Sequence, residues 1–122
     1  MSATQPIKKN APTANPRQWG FSDAELAARP HAYRHDLLAG KVCVVSGGGS
    51  GLGRAMTFLF ARLGAEVMIC GRREDRLAET AASVKSLLGR EIAYQAMTIR
   101  DPQQVQGLID ATYDKFGAVD LL

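Results

Sequence analysis

Histidine and cysteine are scarce in this chain, at two residues each, and that scarcity removes several kinds of chemistry. His31 and His35 stand four apart, but Pro30 precedes them and the sequence offers no third ligand, so surface or packing roles fit better than a metal site. Cys43 and Cys70 lie in apolar, strand-like runs without ligand spacing or a nearby histidine. They read as buried, reduced thiols, which places the chain in a reducing cytoplasm. No apolar run approaches the roughly 20 residues of a membrane span. Lys8 and Lys9 are not followed by the apolar stretch of a signal peptide. Aromatics make up 7% of the residues and do not interleave with a basic stripe, so nucleic acid is not an expected partner. The net charge of +3 arises unevenly, with five basic and three acidic side chains in residues 1–40, and ten and nine in residues 41–122.

Glycine, by contrast, is concentrated where it carries meaning. Ser46-Gly47-Gly48-Gly49-Ser50-Gly51-Leu52-Gly53 follows the apolar run Val42-Cys43-Val44-Val45 and precedes a stretch with helical spacing that ends at Gly64. A glycine-rich turn between a strand and a helix suits a pyrophosphate: the backbone can approach closely, and the first-turn N–H groups and helix dipole face the negative charge. Gly47, Gly51 and Gly53 fit G-x-x-x-G-x-G. No register gives G-x-G-x-x-G, and no Gly-Lys-Ser/Thr closes a P-loop.

The rest of the chain alternates in the same way. Residues 1–20 hold Pro6, Pro12 and Pro16 with little to bury and read as a disordered tail. Ser22 and Glu25 form a capping-box pattern that opens a short helix stopping before Pro30. Strands are expected at 41–46, 66–70, 92–99 and from Val119 onward. Helices are expected at 52–63, 74–88 and after an Asp101 cap with Pro102 at the first position. Leu77, Ala81, Val84 and Leu88 form one apolar stripe; Val105, Leu108, Ile109, Thr112 and Phe116 form the next. Strand–helix alternation predicts a doubly wound parallel α/β sheet in the order 3-2-1-4. Right-handed crossovers then put the first two of these helices on one face. The third covers the other face alone, leaving strands 1 and 4 under-covered there.

These residues resemble the N-terminal half of the short-chain dehydrogenase/reductase family. The likeness runs over residues 37–122, through the glycine loop, Gly71-Arg72-Arg73 and Arg100-Asp101-Pro102. Gly-Gly-Gly-Ser-Gly-Leu-Gly with Met56-Thr57 and Leu63-Gly64-Ala65 is most similar to the 2,4-dienoyl-CoA reductases. The resemblance implies a Rossmann-like, partial dinucleotide-binding domain at 37–122 behind an N-terminal extension at 1–36. It implies cofactor contacts from Ser46, Gly47, Gly49, Ser50, Gly51, Leu52, Gly53, Arg72, Arg73 and Thr98. Ser46 stands where the family usually has threonine, and Thr98 where it usually has an adenine-contacting aspartate.

The family's Asn-Asn-Ala-Gly, serine and Tyr-x-x-x-Lys positions have no counterpart here, since none of Tyr33, Tyr94 and Tyr113 has lysine four residues on. The expectation is therefore a binding portion with no catalytic residue, belonging to a longer homo-oligomeric enzyme of fatty acid metabolism. That enzyme would move hydride between NADP(H) and an acyl-CoA or carbonyl substrate. NADP is favoured over NAD because Gly71 leaves no carboxylate for the ribose 2′-OH, while Arg72 and Arg73 suit a 2′-phosphate. The alternatives are a non-catalytic nucleotide-binding or interaction module, or a reductase of acyl-carrier-protein, sugar or alcohol substrates.

Overall fold

The computed structural model describes residues 20–122; the disordered tail expected at 1–20 falls, save for Gly20, outside the described residues. The elements are α1 (Asp23–Ala28), β1 (Val42–Ser46), α2 (Gly51–Arg62), β2 (Glu66–Gly71), α3 (Glu74–Leu88), β3 (Ala93–Ala96) and α4 (Pro102–Phe116). The strands pair in parallel in the order β1-β2-β3, with Val42 opposite Glu66 and Met68 opposite Ala93. On the free side of β1, Cys43 bridges Leu121 in parallel, so the chain returns beside β1 as the 3-2-1-4 order requires. Only a fragment of the doubly wound fold is present.

β1 and β2 are continuous apolar runs because both faces of the sheet are covered. Successive side chains alternate between faces. Cys43, Val45, Val67 and Ile69 join Leu77 of α3 and half-buried Phe60 of α2 on one side. Val44, Met68 and Cys70 join Met97 and Leu108 of α4 on the other. Each fully buried aliphatic side chain stabilises the fold by about 1.5–3 kcal/mol.

Three expectations need correction. The strand expected at 92–99 is only Ala93–Ala96, because its partner runs out: Gly71 pairs with Ala96, and Met97 N–H then donates to the Gly71 carbonyl at 2.8 Å before the chain turns. The fourth strand is reduced to the Cys43–Leu121 bridge, with Val44 N–H donating to the Leu121 carbonyl at 2.8 Å. The α4 face of β1 is not under-covered, since Val44 is only 3% exposed and Phe116 and Val119 pack into its cluster beside Leu108.

Local chemistry sets the helix ends. Ser22 Oγ accepts from Glu25 N–H at 3.2 Å while Glu25 Oε2 accepts from Ser22 N–H at 2.7 Å, the reciprocal capping box that opens α1. Asp101 Oδ1 accepts from Gln103 N–H at 2.9 Å and opens α4 with Pro102 in its first turn. Leu26 and Ala27 of α1 pack on the cluster of Phe58, Ala61 and Val84, which joins α2 to α3. Among the described residues no helix is long and apolar enough to cross a membrane.

Candidate functional site

The glycine turn leaves the sheet where β1 and β2 end together. Gly47 N–H donates to the Cys70 carbonyl at 2.8 Å, which pins the loop's entry over the neighbouring strand. The turn into α2 is then forced by two glycines for different reasons. Gly51 has φ of +55°, and beyond its own helix no protein atom lies within 4 Å of where a Cβ would stand, so the protein's own constraint there is backbone conformation, with the space in front left open for an approaching phosphate. Gly53 is the crowded position, because a Cβ would overlap the Gly47 carbonyl oxygen. Thr57 Oγ1, fully buried, donates to the Gly53 carbonyl at 2.8 Å and secures the turn from below.

Two further segments complete a cavity of about 400 Å³ beside this loop: the end of β2 with the start of α3, and residues 97–100 after β3. Of the sequence-predicted residues, Ser46, Gly47, Gly49, Ser50, Arg72, Arg73 and Thr98 line it. Gly51, Leu52 and Gly53 form the first turn of α2 and are not among its lining residues. Leu52 is 84% exposed.

Arg76 and Arg100 also line the cavity, which makes four arginines with Arg72 and Arg73. Sequence reasoning missed both. Arg76 carried no positional signal, since α3 begins at Glu74 and both Arg72 and Arg73 precede it, so helical spacing does not tie the three together. Arg100 carried none either. Arg73 Nη2 bonds Asp75 Oδ2 at 3.1 Å, and that bond holds the Asp75 carboxyl below its usual range. Thr98 Oγ1 accepts from Arg100 N–H at 3.2 Å, which leaves the hydroxyl proton to donate elsewhere. Burial pushes the Cys70 thiol up, and it does the same at Cys43.

Helix ends sharpen the electrostatics. Of the four described helices, α1 and α4 have side-chain caps. α2 and α3, whose N-cap residues are Ser50 and Arg73, have none, and both N-caps line the cavity. The first-turn N–H groups of a helix lack intrahelical partners; α3 carries Glu74 and Asp75 in that turn, whereas α2 has no acidic residue there, so the α2 end is the positively polarised one that opens beside four guanidinium groups. That donor set fits the phosphates and adenosine end of a dinucleotide, and the volume lies within the range of ligand pockets.

The short chain dehydrogenase family profile matches residues 41–122. The chain belongs to the short-chain dehydrogenase family. It is 34% identical over 92 residues to the peroxisomal 2,4-dienoyl-CoA reductase of Danio rerio, which covers 75% of this chain and 31% of that protein. Among solved structures, L-sorbose reductase from Gluconobacter frateurii, complexed with NADPH and L-sorbose, matches with a TM-score of 0.67 and 32% identity, over 72% of this chain and 34% of that one. A short-chain dehydrogenase/reductase from Burkholderia phymatum in complex with NAD matches with a TM-score of 0.66 and 35% identity, over 70% and 30%. This family member thus spans about a third of the length of these relatives.

Proposed function

We propose that this chain supplies the NADP(H)-binding portion of an oxidoreductase that transfers hydride between the nicotinamide and an acyl-CoA or related carbonyl substrate. Residues 37–122 would be its partial dinucleotide-binding domain and 1–36 an extension. One observation carries the reading: the uncapped N-terminus of α2, with no acidic residue in its first turn, and four arginines converge on one cavity beside a glycine turn. The acyl-CoA substrate is supported by the likeness to a 2,4-dienoyl-CoA reductase. A homo-oligomer in the cytoplasm completes the proposal, the compartment resting on Cys43 and Cys70, both free and buried.

In this reading the first turn of α2 and the Ser46 and Ser50 hydroxyls hold the pyrophosphate. Thr98 meets the adenine edge. Arg72 and Arg73 take the 2′-phosphate, with Gly71 offering no carboxylate to repel it. Arginine suits that role because its planar fork donates in pairs to phosphate oxygens. The bound nicotinamide supplies the hydride chemistry. Among this chain's residues, the work is binding and orientation.

The test is calorimetric titration of the full chain with NADPH and NADH. NADPH is expected to bind more tightly, and Arg72→Ala to weaken it by roughly 10- to 150-fold with little change for NADH. Equal affinities in the unmodified protein, or undiminished preference in the variant, would overturn the cofactor assignment.

A further inference from the structure

The dinucleotide reading leaves residues 21–29 without a role, yet they are fastened to α2 at both ends. A six-residue helix does not persist by itself in water. Here it closes on itself through the Ser22–Glu25 box and through Arg29, whose guanidinium stacks on Phe21 at 4.0 Å. Its apolar side seats on Phe58, Ala61 and Val84. Arg62, in the last turn of α2, donates to the carbonyls of Leu26 at 3.0 Å and Arg29 at 2.8 Å, satisfying acceptors at the C-terminal end of α1. At the other end Asp23 pairs with Arg54, and their side chains are only 17% and 10% exposed.

Arg54 is the consequential member. It lies in the first turn of α2 directly after Gly53, and its N–H donates to the Ser50 carbonyl at 3.1 Å, closing the turn that contains Gly51 and Gly53. A cation there opposes the helix dipole, and a buried guanidinium is costly without a carboxylate. Asp23 answers both demands and holds the Arg54 side chain on the α1 side of the turn. Arg54 is not among the cavity's lining residues, so its charge is committed to α1, not to a ligand.

We propose that residues 21–29 are a strap that keeps the first turn of α2 in its anion-binding geometry, with Asp23 as a positioning residue acting through Arg54. The identity of the anion rests on the dinucleotide reading; the strap itself does not. In the ligand-free full chain, Asp23→Asn is expected to speed amide hydrogen exchange at residues 54–57, whose N–H groups bond back onto the first turn of α2, while leaving β2 and α3 unchanged. The same variant is expected to weaken NADPH and NADH alike, by roughly three- to thirtyfold. The preference between them should hold, because Arg72 and Arg73 sit outside the strap. Asp23→Glu, which keeps the charge, is expected to restore both readouts. A lowered melting temperature with unchanged exchange at 54–57 would overturn the proposal. Exchange rising throughout the domain, or failure of the Asn variant to fold, would also overturn it, since the pair would then serve the fold at large. If exchange responds locally but neither dinucleotide binds the unmodified chain, the strap stands and the ligand reading falls.

Discussion

At the scale of single residues, two glycines in one turn do different jobs, and substitution separates them. Gly51 needs a left-handed backbone conformation, which Asn tolerates and a β-branched residue does not. Gly51→Asn is expected to keep the stability of the ligand-free chain and lose dinucleotide affinity, because a side chain then stands where phosphate approaches the backbone. Gly51→Val is expected to lose affinity and also roughly 1–2 kcal/mol of stability. Gly53→Ala should disturb the loop itself, since its Cβ would overlap the Gly47 carbonyl oxygen. Urea denaturation and calorimetry on the three variants check this; Gly51→Val binding NADPH with unchanged affinity would remove the loop from the site. The glycine pattern was legible in the sequence because glycine announces a backbone need. The arginines were only half legible. Arg72 and Arg73 stand at a fixed distance from a strand end, whereas nothing in the sequence says that Arg54 turns to Asp23 while Arg76 turns to the cavity.

At the scale of elements, α4 is the only described helix packed on its side of the sheet, and its burial is concentrated in few residues. Leu108 and Thr112 are buried, whereas Ile109, placed on the same stripe by spacing alone, is half-buried and outside the core cluster. Leu108→Ala is expected to cost about 2–5 kcal/mol, the range for deleting a buried leucine. Ile109→Ala should cost less than half as much in the same denaturant titration. Equal costs would mean that α4 is rotated from the orientation described. Helix positions were readable because Ser22, Asp101 and Gly89 mark ends by local chemistry. β3 was not, because strand length depends on the partner: Ile92–Ile99 is apolar enough to continue, but β2 stops at Gly71. The docking of α1 was equally hidden, since Leu26 and Ala27 carry no sign of the helices they cover.

At the scale of the whole molecule, the sequence order of the strands is also their order in space, and each pairing of β1 with β2 and of β2 with β3 closes a comparatively short stretch of chain. The bridge at Cys43 is different. Val42 N–H donates to the Asp120 carboxylate at 2.8 Å across 78 residues, about three times the chain enclosed when Val42 meets Glu66. By the logarithmic cost of loop closure, that last contact is about 1 kcal/mol dearer in entropy than the first pairing, and it returns a single bridge instead of a ladder. The β1–β2–β3 layer with α2 and α3 is therefore expected to assemble first, and the 120–121 segment to join afterwards and leave most readily. Pulse-labelled refolding should show amide protection at Val67 and Ile69 before Leu121; simultaneous protection would mean one concerted nucleus. Kinetically, the outer edge at the start of β1, around Val42 to Val44, is the last part of this sheet to close.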